Sequence, residues 1–68
     1  MKNNFLAGLV LTTGVLYLSG TLPKFGYTIK NNIITADANY ILIINGVETK
    51  TAKLSPNTDY TVSVERLN

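Results

Sequence analysis

The sequence predicts an α+β, membrane-anchored protein: a single N-terminal transmembrane helix followed by a small antiparallel β module of about four to five strands. Two observations predict this division. An apolar run without charge covers residues 5–22, and after residue 25 the pattern changes to the apolar–polar alternation of strands. We therefore expect residues 1–24 to form the membrane anchor and residues 25–68 to form the β module.

The apolar run, FLAGLVLTTGVLYLSGTL, is long enough to cross a bilayer as a helix. It would span roughly 27 Å, close to the hydrocarbon thickness of a membrane. Lys2 and Lys24 flank the run and can reach lipid headgroups, and Pro23 would end the helix. The residues expected to form the anchor are Phe5, Leu6, Leu9, Val10, Leu11, Val15, Leu16, Tyr17, Leu18 and Leu22.

A cleaved signal peptide and a helix buried in a protein assembly are the two alternatives for this segment. Lys2, the apolar stretch and the small residues Ser19 and Gly20 fit a signal peptide. However, Leu18 stands where a cleavage site needs a small side chain. We therefore expect an uncleaved anchor that makes the lipid bilayer a partner, with a single-pass location in a virion internal membrane or a bacterial inner membrane.

The first half of the β module is predicted from alternation and from turn-forming pairs. Strands are expected at residues 27–30 and 33–35, because the intervening Asn31-Asn32 pair tolerates positive φ. Residues 40–44 are apolar on both faces, which indicates a central strand. Asn45-Gly46 then predicts a hairpin with a type I′ turn.

The second half should contain a partner strand at residues 47–54, a turn cluster at residues 55–59 and a strand at residues 60–65. The last strand alternates cleanly. Its core-facing residues should be Tyr60, Val62 and Val64, and its solvent-facing residues should be Thr61, Ser63 and Glu65.

Residues 54–64, LSPNTDYTVSV, resemble the tyrosine-corner stretch of fibronectin type III domains. The shared spacing is Leu-x-Pro-x-Thr-x-Tyr-x-Val-x-Val, and it includes Leu54, Pro56, Tyr60, Val62 and Val64. The resemblance implies that the Tyr60 ring packs at a corner between strands and that its hydroxyl bonds to nearby backbone. A full domain of that class needs about 100 residues. The resemblance therefore implies a partial sandwich, with an opposing sheet from residues 27–35, from another subunit or absent.

The composition argues against catalysis. The 68 residues include no Cys and no His, which excludes disulfides, thiolate sites and the commonest general base and metal ligand. The acids Asp37, Glu48, Asp59 and Glu65 show no paired-carboxylate spacing. We expect no enzyme activity, no catalytic residue, no cofactor and no metal. The net charge is +2 and the basic residues are scattered, so no nucleic-acid interface is expected.

A chain this small usually needs a partner surface, which predicts a homo-oligomer or a larger assembly. We expect a non-enzymatic structural protein, a minor virion component that links a phage membrane to a protein shell or capsid. The alternative is a bacterial cell-envelope adhesion module that binds a protein by strand addition, at edges formed by residues 27–30 or 60–66. A small membrane-active holin or toxin is a third possibility, which the long β module disfavours.

Overall fold

The protein folds as a β-sandwich of two antiparallel sheets in the computed structural model, which describes residues 4–67, with side chains from residue 6 onward. One sheet has five strands in the order β2-β1-β8-β5-β6, and the other has three in the order β3-β4-β7. The strands are β1 Asn4–Thr12, β2 Val15–Gly20, β3 Tyr27–Lys30, β4 Ile33–Ala36, β5 Tyr40–Ile44, β6 Val47–Thr49, β7 Thr51–Lys53 and β8 Thr58–Arg66.

The expected N-terminal transmembrane helix is wrong, because the apolar run forms the β1–β2 hairpin. Its turn residues, Thr13 and Gly14, have φ values of 47° and 83°, which fit a type I′ turn. No helix among residues 4–67 is long and apolar enough to cross a membrane. The single-pass location predicted from such a helix is therefore wrong as well.

The residues assigned to the anchor are divided between the two strands of this hairpin and the segment that follows. Burial alternates along β1, where Ala7, Leu9 and Leu11 are buried and Leu6 is 61% exposed. This period of two is that of a half-buried strand, and length and hydrophobicity alone conceal it. Phe5, Leu6, Leu9, Val10 and Leu11 lie on β1, Val15, Leu16, Tyr17 and Leu18 lie on β2, and Leu22 is buried after the hairpin.

The strands and turns at residues 27–46 lie where the sequence predicts them. Asn31 and Asn32 connect β3 to β4 with φ values of 52° and 63°, and Asn45 and Gly46 connect β5 to β6 with 52° and 84°. Positive φ at both central residues is the requirement of a type I′ turn, which matches the twist of the flanking strands.

The single strand expected at residues 47–54 is wrong, because the chain changes sheets at Lys50. β6 belongs to the five-stranded sheet and β7 to the three-stranded sheet. The Thr49 Oγ1 donates to the Thr51 carbonyl at 2.7 Å and accepts from the Thr51 N–H at 3.3 Å, which stabilises the bend. The Lys50 Nζ donates to the Tyr40 carbonyl at 2.6 Å.

The core lies between the two sheets and includes residues of both the first strand, β1, and the last strand, β8. Val62 and Val64 of β8 are buried, in agreement with the expected inward face. Ser63 was expected to face solvent but is only 5% exposed, because β8 is a central strand on which Leu6 and Ile43 flank it in register. The core consists of Ala7, Leu9, Leu11, Leu22, Ile34, Ala36, Leu42, Ile44, Leu54, Val62 and Val64.

Candidate site for protein interaction at the β2 edge

Within residues 4–67, four strands have an open side: β2 and β6 in one sheet, and β3 and β7 in the other. The expected edge at residues 27–30 is present as β3. The expected edge at residues 60–66 is wrong, because β8 lies between β1 and β5. An open edge exposes unpaired N–H and C=O groups, and proteins usually protect it with short strands or charged side chains.

β2 differs from the other three edges in length and in charge. It has six residues, VLYLSG, and none is charged. The other edges have three or four residues, and each carries a charge, at Lys30 of β3, Glu48 of β6 and Lys53 of β7. β2 is therefore the least protected edge in the described part of the chain.

The geometry of the hairpin determines which groups of β2 face the open side. In a hairpin with a two-residue turn, the residues flanking the turn form a hydrogen-bonded pair, and such pairs alternate along the ladder. The N–H and C=O groups of Val15, Tyr17 and Ser19 therefore form hydrogen bonds with β1. Leu16 and Leu18 direct their N–H and C=O groups away from β1, toward any strand that joins the sheet.

The side chains of β2 leave apolar surface on both faces of the edge. Tyr17 is 58% exposed and Val15 is 47% exposed on the outer face. Leu18 lies opposite the buried Leu9 in the ladder and is therefore on the inner face of the sheet. It is nevertheless 49% exposed. A three-stranded sheet is too narrow to cover a five-stranded one, and this leaves Leu18 uncovered.

The far end of the edge is held by a close contact between the two strands of the hairpin. The Ser19 Oγ donates to the Gly8 carbonyl at 3.3 Å. A Cβ at Gly8 would lie 2.9 Å from that Oγ, so the glycine provides the space that the serine side chain occupies. Leu16 and Leu18 therefore lie between the Thr13-Gly14 turn and this contact.

The predicted corner residues lie away from this edge, around the connection between β7 and β8. The Ser55 N–H donates to the Tyr60 hydroxyl oxygen at 2.6 Å, and the hydroxyl is 3.5 Å from the Ser55 carbonyl. Leu54 is buried and the Tyr60 ring packs against the core, whereas Pro56 is exposed. This arrangement is structural, and the resemblance of residues 54–64 to the tyrosine corner of fibronectin type III domains stays a prediction.

The predicted hairpin turn contributes to the same scaffold. The Thr61 N–H donates to the Asn45 Oδ1 at 2.9 Å, and the Asn45 N–H donates to the Thr61 carbonyl at 2.8 Å. Asn45 therefore continues the β5–β8 pairing beyond the end of β5. Its role is to hold the five-stranded sheet together, and Gly46 supplies the second turn conformation.

The described part of the chain contains no group of three or more acidic side chains placed to hold a metal ion. Every buried side-chain nitrogen or oxygen within residues 6–67 has a hydrogen-bond partner.

Comparison with protein-family models, with curated proteins and with solved structures gives no match.

The sequence contains one signal that points to this site. Thr13-Gly14 interrupts two stretches of strand-forming residues, and Gly at the second position of a two-residue loop is typical of hairpins. The hydrophobicity of the whole run conceals that signal. The lack of charge, which is also typical of a segment in contact with lipid, distinguishes β2 as an unprotected edge.

Proposed function

We propose that the protein is a non-enzymatic interaction module that binds a protein partner by adding its strand to the open edge of β2. The observation that carries this proposal is that the N–H and C=O groups of Leu16 and Leu18 point to the open side of β2. This edge is uncharged, and exposed apolar side chains flank it. In strand addition, main-chain hydrogen bonds supply affinity, and side chains on either face supply specificity.

The hypothesis of a link between a membrane and a protein shell depended on a transmembrane helix, and residues 4–67 form no helix long and apolar enough to be one. All of the residues assigned to the anchor except Leu22 lie on β1 or β2, and Leu9, Leu11 and Leu22 belong to the core. A structural or adhesive role in a larger assembly is compatible with strand addition, and the open edge defines how such a role would be performed. We therefore base the function on the edge.

The test is backbone hydrogen exchange at the open side of β2. Extended peptides with an uncharged centre, such as alternating Thr-Val sequences with Lys at both ends for solubility, are added to the isotope-labelled protein. The protein is also examined alone at rising concentration. Strand addition should slow amide exchange at Leu16 and Leu18, because their N–H groups become hydrogen-bonded.

A matched pair of proline variants assigns the effect to β2. Leu18→Pro removes an N–H that the hairpin does not use, and Ile29→Pro makes the same change at the open side of β3. Leu18→Pro should abolish the protection, and Ile29→Pro should preserve it. Protection that never develops at Leu16 and Leu18, with any peptide and at any protein concentration, would contradict the proposed function.

A further inference from the structure

We propose that the strand added to β2 is β2 of a second copy, paired antiparallel about a two-fold axis at Tyr17. This inference rests on the proposed function and specifies its partner. The evidence is the self-complementarity of the edge in its backbone, its side chains and its charge.

The backbone requirement selects the register. An antiparallel partner must place its own outward N–H and C=O groups opposite those of Leu16 and Leu18. A two-fold axis at Tyr17 pairs Leu16 with Leu18 of the second copy and Leu18 with Leu16 of the second copy. Each of these pairs exchanges two hydrogen bonds, so the interface gains about four. The pairing extends from Val15 to Ser19 and avoids Gly20, whose φ of 91° departs from strand geometry.

The side chains complement one another in the same register. Tyr17 lies opposite Tyr17 of the second copy in a non-hydrogen-bonded pair, where opposite side chains approach most closely. This contact covers the most exposed large hydrophobic side chain of β2. On the inner face, Leu16 and Leu18 from each copy form one apolar cluster that covers the exposed Leu18. Val15 lies opposite Ser19 of the second copy.

The charges of the four edges favour self-pairing at β2 over the other strands. Symmetric pairing of β2 places no charged residues together, because the strand has none. In β6 the middle residue of the strand is Glu48, so a symmetric pair would place two carboxylates face to face. Like charges directly opposite each other destabilise a sheet. β3 and β7 carry Lys30 and Lys53, and charged side chains of this kind protect an edge against pairing.

The symmetry also limits the assembly to two copies. An isologous contact uses the same surface on both chains and closes on itself. The joined sheet would end in β6 on both sides, where Glu48 opposes further addition. Self-pairing therefore converts an unprotected edge into a central position of a continuous sheet.

Charge exchange at Tyr17 tests the axis directly. Tyr17 is 58% exposed, so Tyr17→Lys and Tyr17→Glu should leave the fold intact, as circular dichroism can verify. In sedimentation experiments the unmodified protein should form dimers. The dimer dissociation constant of each variant alone should be at least about tenfold higher, because two like charges meet at the axis. An equimolar mixture should recover the dimer, since Lys then faces Glu.

The matched control changes a similarly exposed residue at the opposite edge of the same sheet. Val47 of β6 is 64% exposed, and Val47→Lys should leave dimerisation unchanged. If Val47→Lys disrupts the dimer while Tyr17→Lys does not, the interface lies elsewhere and the proposal is overturned. Open-ended polymers in place of dimers would overturn it as well.

Cysteine cross-linking distinguishes the proposed register from its neighbours. The chain has no Cys, so Tyr17→Cys introduces a single thiol. With oxidised glutathione, Tyr17→Cys should form a disulfide-linked dimer faster than Leu18→Cys, whose two copies lie diagonally across the axis. Faster linkage through Leu18→Cys would overturn the register. An unmodified protein that stays monomeric, yet gains amide protection with peptides, would overturn the self-pairing and preserve the proposed function.

Discussion

Tyr60 connects the entry of β8 to the preceding loop through its hydroxyl group. The hydroxyl accepts the Ser55 N–H at 2.6 Å. Tyr60→Phe removes this acceptor and retains the ring that packs against the core. We expect the free energy of unfolding to fall by about 1 kcal/mol, the usual contribution of one hydrogen bond. Chemical denaturation measures the change.

The control for this variant is Tyr27→Phe. Tyr27 also packs against the core, and within residues 6–67 its hydroxyl makes no hydrogen bond. Its removal should change the free energy of unfolding by less than about 0.5 kcal/mol. Equal effects of the two substitutions would mean that the Ser55–Tyr60 bond makes no specific contribution to stability.

At the level of elements, the hairpins differ in how well their turn residues suit their conformation. Asn and Gly at positive φ occur in the β5–β6 turn, where the sequence predicts the hairpin correctly. In the β1–β2 turn, a β-branched residue, Thr13, adopts a φ of 47°. Such a residue disfavours positive φ. The turn that the sequence does not predict is therefore the one with the weaker local preference, and the pairing of β1 with β8 compensates for it.

This difference predicts that Thr13→Asn stabilises the protein. Asn adopts positive φ at lower cost, and Asn-Gly is the preferred type I′ pair. We expect the free energy of unfolding to rise by about 1 kcal/mol. The matched control is Asn31→Thr in the β3–β4 turn, where φ is 52° and the same exchange runs in the opposite direction. A loss of stability with Thr13→Asn would contradict the assigned turn.

At the scale of the whole molecule, the sequence predicted local features better than long-range pairings. The turns at Asn31-Asn32 and Asn45-Gly46 depend on neighbouring residues, and they were predicted correctly. The position of β8 between β1 and β5 depends on residues far apart in the chain, and no local pattern in the sequence indicates it. The β2 edge could not be predicted for the same reason: its open side exists because β1 pairs with β8.

The pairing of β1 with β8 makes the two ends of the chain interdependent. Leu9 and Leu11 are at most 2% exposed in a core that they share with Val62. A fragment of residues 23–68 would expose this core and leave β8 without one neighbour. We therefore expect the fragment to show no cooperative unfolding transition, in contrast to a β module that folds independently of its N-terminal segment.

A synthetic peptide of residues 1–22 should restore folding when it is added to that fragment. The peptide supplies the strand and the leucine side chains, and restoration appears as dispersed amide signals in NMR spectra. A control peptide with Leu9→Asp and Leu11→Asp should fail, because it places carboxylates in the core. If residues 23–68 fold cooperatively alone, the hairpin is an addition to a complete core. The prediction that β8 depends on its pairing with β1 would then be wrong.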